Sequence, residues 1–332
     1  MTIPTLRNRK SRRTPASLGL LAAVLLWGLA SVLPALGQQE PAGSWNPLPE
    51  PLAVVPESPI SDEPATQAEK ALTPAYEDQV MEIVNQERWN NGQLPPLKRV
   101  ALLDTSSELH STNMGLRNFF MHCDPDTGKS PYQRMSDAGY FYSTAGENIA
   151  AGQATPASVM TGWMNSSGHR ANILNTGFRE IGIGYYLDSS DTNNIRGSST
   201  GTCTVNTSGA GPYLGYWTQN FGARNSVYPV VINREAFETT SLSVSLYVYR
   251  PGNGTQMRFS NDGINWSAWA PFSNNTTWTL SQGNGTKTVY SQVLSGSTVF
   301  AASDTIEVSG QVSNVIFSDS FESGTTVSWP SL

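Results

Sequence analysis

The sequence predicts an α+β domain followed by a separate all-β module, and three observations lead there. Apolar residues recur at helical spacing over residues 76–118 and 155–168, alternate at strand spacing over 181–221, and alternate strictly between short turns beyond Tyr228. The chain has 332 residues, which is more than one ordinary core holds and suggests about two domains. Its net charge of −6 leaves no basic footprint for nucleic acid, so nucleic acid is not an expected partner.

The elements follow in chain order. Residues 1–37 begin with Arg7, Arg9, Lys10, Arg12 and Arg13, continue as an apolar run from about Leu18 to Leu33, and reach Ala35-Leu36-Gly37. That order reads as an export signal cleaved near Gly37 or, if uncleaved, as a membrane anchor, since the run is slightly short of the roughly 20 residues a span needs. Either reading puts the remainder outside the cytoplasm, secreted or anchored at the cell surface, with the membrane a partner only in the uncleaved form. Residues 38–75 carry Pro41, Pro47, Pro49, Pro51, Pro56, Pro59 and Pro64 with few large apolar groups, the composition of a disordered linker.

Residues 76–228 form the first predicted domain. Val80, Ile83 and Val84 place a helix from Tyr76 to about Asn91. A second helix spans Arg99 to Asn118, with Leu102, Leu109 and Leu116 on one stripe and Leu103, His110 and Met114 beside it. Thr155 as N-cap, Pro156 at the first helical position and Val159, Met160 and Trp163 on one face make a third helix, closed by Gly168 with His169 just past its end. Strands are expected at Ile181, Ile183 and Tyr185 and from Tyr213 to Phe221, separated by a polar, glycine-rich stretch.

Residues 229–309 form the second. Leu242, Val244, Leu246 and Val248 alternate, and Asn253-Gly254, Asp262-Gly263 and Asn284-Gly285 are hairpin-type turns, so a small immunoglobulin- or fibronectin-like sandwich is predicted. Trp266, Trp269 and Trp278 with Val289, Val293 and Ile306 are its expected core. The tail, 310–332, receives no assignment.

Chemistry is concentrated in the first domain. All three histidines, His110, His122 and His169, fall within 60 residues, in a stretch that also holds Glu147. Histidine binds transition metals and titrates near neutral pH, so the clustering suggests a site. The two cysteines, Cys123 and Cys203, suit a disulfide outside the cytosol; the other reading makes Cys123 a reactive thiol beside His122.

The motifs VNQERWNNG, HSTNM, FFMHCDPDTG, AGENIA, WMNSSGHRANILN, FREIGIGYY and YWTQNFG occur in that order between residues 84 and 222. Together they resemble the CAP superfamily (cysteine-rich secretory proteins, antigen 5 and pathogenesis-related 1 proteins), in its compact bacterial branch. The resemblance implies an α-β-α sandwich and a cleft of two histidines and two acids. The matching positions here are His122, Glu147 and His169, while Asn165 and Ser166 stand where the second acid is expected. Two imidazoles and Glu147 give a candidate His₂Glu zinc site, or Glu147 stays out of the metal shell and takes a proton from bound water as the catalytic residue. His110 reads either as a core histidine or as a further nitrogen at the cleft. The function expected is therefore divalent-metal binding, zinc being the candidate, by a secreted protein. The alternative is a non-enzymatic extracellular binding protein for lipid, glycan or a protein surface, and a weaker third reading is a cell-wall hydrolase or peptidase, for which no serine or cysteine triad is legible.

Overall fold

The computed structural model describes residues 74–311. The leader, the linker up to residue 73 and the tail from residue 312 lie outside the described residues.

The first domain comprises α1 (Tyr76–Asn90), β1 (Lys98–Arg99), α2 (Ala101–Leu116), β2 (Phe119–Phe120), α3 (Pro131–Asp137), β3 (Thr144–Ala151), α4 (Pro156–Asn165), α5 (Ser167–Ile173), β4 (Glu180–Leu187), β5 (Ile195–Gly197), β6 (Thr207–Ala210) and β7 (Gly215–Ala223). Its main sheet runs β1-β4-β7-β3, with β1 parallel to β4 and the other pairs antiparallel. Strand β7 is buried along its whole length, because both of its faces are covered by helices. On one face Val80, Met81 and Val84 of α1 and Val159, Met160 and Trp163 of α4 close over Ile181, Ile183, Trp217 and Phe221. On the other lies α2. This is the α-β-α sandwich.

The face that α2 buries is not the leucine stripe. Leu103, Ser106, Ser107, His110, Ser111, Met114 and Gly115 point inward, while Leu109 and Leu116 are 54% and 61% exposed. The reason is on the sheet: a Cβ at Gly182 or Gly184 would fall inside the van der Waals radius of the α2 backbone at Leu103 and Ser107. The helix lies so close to β4 that only small side chains fit between them, and Ser111 uses the proximity to donate to the Gly184 carbonyl at 2.9 Å. The third predicted helix also differs. It breaks at Ser166, which is extended (φ −97°, ψ 121°), and restarts as α5, so His169 sits in the first turn of a new helix. Asn165, Ser166 and Gly168 are poor helix formers, which makes the break inexpensive there.

The second domain comprises β8 (Val230–Ile232), β9 (Glu238–Thr239), β10 (Ser243–Val248), β11 (Gln256–Ser260), β12 (Ala270–Pro271), β13 (Asn275–Thr279), β14 (Gly285–Ser295) and β15 (Thr298–Val308). Two sheets, β13-β10-β8 and β12-β11-β14-β15-β9, pack through Val244, Leu246, Val248, Phe259, Val289, Val293 and Ile306 as a β-sandwich. Trp278 packs at the edge of this core. Trp266 and Trp269 do not enter it; they lie half-buried on either side of the Arg258 guanidinium, 5.0 and 4.5 Å from it. A cation between two ring faces satisfies the indoles without burial in the core. The long β14–β15 hairpin turns at Gly296 (φ 60°), a position the sequence patterns did not single out.

The two domains meet through an unusual turn. Asn233, Arg234 and Glu235 take consecutive positive φ values of 43°, 59° and 64°, a left-handed conformation that L-residues avoid. The first domain holds the turn from three sides. Asn85 donates to the Arg234 carbonyl at 2.8 Å, the Arg234 guanidinium lies 3.8 Å from the Trp89 ring centroid, and Lys98 is 2.9 Å from Glu235. Lys98 also pairs with Asp304, whose other oxygen accepts from the Ile232 amide at 2.6 Å. Such over-determination is what keeps a strained turn in place.

Candidate functional site

His122 follows β2, on a segment whose Met121 carbonyl accepts from His110 at 2.9 Å and whose Cys123 is bonded to Cys203. The disulfide closes the alternative of a reactive thiol. It ties the residue after His122 to the loop that precedes β6. Glu147 lies on β3, directly opposite Asn220 of β7, on the sheet face that α2 covers. His169 enters from α5, whose position is fixed when Asn148 donates to the His169 carbonyl at 3.1 Å and Asn172 donates to the Glu147 carbonyl at 3.2 Å.

The structure thus brings His122 and Glu147 into contact, with His169 near enough to His122 for the two rings to interact electrostatically. His122 Nδ1 is 2.8 Å from Glu147 Oε1. A carboxylate only accepts, so Nδ1 carries the proton, and Nε2 is left as the ring's lone pair on a side chain that is 45% exposed. The other Glu147 oxygen accepts from Arg134 Nη2 at 2.6 Å, with both side chains 3% exposed or less. The Arg134 guanidinium, with the neighbouring histidines, outweighs the cost of burial and holds the Glu147 carboxyl down at about 2, so it is an anion at any physiological pH. Arg134 also donates to the His122 carbonyl at 2.8 Å and the Lys129 carbonyl at 3.1 Å, fastening the His122 loop from beneath.

Burial, and to a lesser degree the neighbouring His122 ring, lower the pKa of His169 below its ordinary value. His110 is fully buried; its Nε2–H donates to the Met121 carbonyl, and burial pulls its pKa down to about 4. It lies beneath the site, close enough to feel Glu147, Arg134 and His122, and its ring packs on Phe119 at 5.8 Å. It offers no nitrogen to the cleft surface.

The donor set does not fit a three-ligand zinc centre. Both Glu147 oxygens are already committed, to Arg134 and to His122, and His110 is turned inward. Asn165 and Ser166, at the expected position of a second acid, bring no charge. Among the described residues no group of three or more His, Cys, Asp and Glu side chains is placed to hold a metal ion. What the arrangement does offer is an exposed imidazole, oriented through Nδ1 by a buried carboxylate, with the His169 ring near enough to interact with it.

Arg134 escaped the sequence reading, as did Asn172 and Gln219, which bond to Asn148. The available signal was the capping box of α3: Ser130 accepts from the Gln133 amide, Gln133 answers through its side chain, and Pro131 stands at the first position. A helix that well started, with Arg134 beside the buried Met135, turns the arginine inward.

The family described as CAP, the cysteine-rich secretory protein family, matches residues 81–221. Among curated proteins, the Bacillus subtilis protein YkwD, described as uncharacterized, is 49% identical over 111 residues, 33% of this chain and 42% of that protein. The uncharacterized membrane protein YlbC of the same species is 29% identical over 118 residues, 35% of this chain and 33% of that protein. The chain therefore spans less than half the length of these relatives. Among solved structures, an extracellular protein containing an SCP domain from Bacillus anthracis aligns with 26% identity and a TM-score of 0.35, over 45% of this chain and 40% of that one. The family match, the sandwich and the motifs at His122, Glu147 and His169 coincide, and residues 81–221 of this chain are a CAP domain.

Proposed function

We propose that the protein works outside the cytoplasm as a binding protein, and that its CAP cleft recognises a polar ligand without turning it over. The observation that carries this reading is the double commitment of Glu147, to Arg134 at 2.6 Å and to His122 at 2.8 Å. A carboxylate held at about 2 by a buried arginine is a weak base for activating water, and no second acid stands near it to protonate a leaving group. Its role is to orient His122, which presents Nε2 as an acceptor to a ligand donor. The site of action is supported by the Cys123–Cys203 disulfide, which persists in oxidising compartments, and by the leader-like residues 1–37. Among the described residues no helix is long and apolar enough to cross a membrane.

The test is an NMR titration of the secreted chain with soluble glycans, short acyl lipids and peptides, following both the ligand signals and the His122 and His169 imidazoles. Saturable imidazole shifts with chemically unchanged ligand are expected. Product formation that disappears in His122→Ala would overturn the reading in favour of catalysis.

A further inference from the structure

A concavity of about 210 Å³ is formed where the small sheet β2-β5-β6 meets the loop before β7. Its walls combine two aromatic rings, Phe120 and Tyr213, with Arg196 and with the hydroxyls of Ser198, Ser199 and Thr207. The two rings are both half-buried, 5.9 Å apart and inclined at 59°, so they make an angled apolar floor. Arg196 is held in a forked pair with Asp126, at 2.7 and 3.0 Å, and donates to the Arg117 carbonyl at 2.8 Å. Strand β6 is the outer strand of its sheet, and all four of its residues are exposed.

We infer that this concavity is a carbohydrate subsite that takes one neutral pyranose ring, an inference that rests on the polar-ligand reading of the histidine cleft. A pyranose has an apolar C–H face and a belt of hydroxyls, each both donor and acceptor. Aromatic faces receive the first through the negative charge of the ring face. Fixed polar groups in a small pocket select the second. The charge balance chooses a neutral sugar, because Arg196 is already neutralised by Asp126 and offers a planar array of N–H and carboxylate oxygens without net charge. The volume suits a sugar ring and is far too small and polar for an acyl chain. Connectivity joins the subsite to the cleft: Phe120 is two residues from His122, and the Cys123–Cys203 bridge pins the Ser198–Asn206 segment next to it.

The probes are tetrasaccharides of β-1,4-linked N-acetylglucosamine and of β-1,4-linked glucose, titrated into the isotopically labelled secreted chain. Saturable amide shifts at Phe120, Arg196, Thr207 and Tyr213 are expected with at least one of them, and a preference for the acetylated sugar distinguishes a wall-type glycan from a glucan. Tyr213→Ala should weaken binding about tenfold or more, and Tyr213→Phe, which keeps the ring, should stay within about threefold of wild type. Thr207→Val, on the exposed strand, provides a second variant if Tyr213→Ala does not fold, and should weaken binding severalfold. Shifts confined to His122 and His169, with Tyr213→Ala binding as wild type, would overturn the subsite and leave the polar cleft standing. No shift with either sugar would also overturn it, while the broader reading would still be decided by its own ligand panel.

Discussion

Arg134 and Glu147 form an ion pair of 2.6 Å in which neither side chain is more than 3% exposed. The pair joins α3 to β3 beneath the one exposed histidine of the site, and it makes the acid–histidine contact part of a fixed scaffold. A buried pair of this kind adds little net stability over an apolar substitute, but removing one partner leaves an uncompensated charge.

Arg134→Ala is accordingly expected to lower the unfolding free energy by about 3 to 5 kcal/mol, as measured by urea denaturation. Arg134→Met combined with Glu147→Gln should cost clearly less than the sum of the single changes, because the buried anion is gone. An additive double variant would show that the two groups are not coupled.

Acid should destabilise the first domain in a defined window. His110 is held neutral, with its pKa at about 4 against an ordinary 6.5, so the unfolded chain binds the proton first as pH falls. The stability this group protects is complete above about 6.5 and is lost as pH drops toward 4; Glu147, depressed to about 2, extends the loss below the ordinary carboxylate range. Thermal melts from pH 7 to pH 4 should show the decline, and His110→Gln should flatten it between 6.5 and 4.

The junction between the domains responds in the opposite sense. Burial, and the nearby Asp304, raise the pKa of Glu235, although Lys98 partly offsets them. A carboxyl raised on folding stabilises fully below its ordinary pKa and loses that contribution as pH rises through its folded value. Stability should therefore fall on the alkaline side, and Glu235→Gln should remove that fall while Lys98 remains paired with Asp304. Melts of wild type and variant across pH 5–9 decide it.

Reduction of Cys123–Cys203, which spans 80 residues of sequence, should cost roughly 4 kcal/mol if the loss is set by chain entropy. Cys203→Ser should reproduce the effect without reductant, and loosened amide exchange should appear first in the segment before β6.

The sequence singled out candidate site residues more readily than it disclosed the packing. His122, Glu147 and His169 were legible because their motifs carry them as ordered units. Arg134 was not, because an isolated arginine reads as a solvated charge until its helix is known to turn it inward. Helical spacing found α2 and its two stripes, of which Leu103, His110 and Met114 face inward, but periodicity assumes that large side chains seek the core and does not show that Gly182 and Gly184 press the helix so close that serines are what fit. The same assumption placed Trp266 and Trp269 inside the sandwich, when Arg258 satisfies them at its surface. No local pattern announces the left-handed turn at Asn233–Glu235, whose cost is met by contacts from the other domain.

The claim that Glu147 is a scaffold group, already committed and not a metal ligand, is tested most directly by calorimetric titration of zinc into the untagged chain, with Glu147→Gln and His122→Ala/His169→Ala in parallel. No micromolar zinc uptake that depends on Glu147 is expected. Stoichiometric micromolar zinc binding, lost in Glu147→Gln as well as in the double histidine variant, would contradict it.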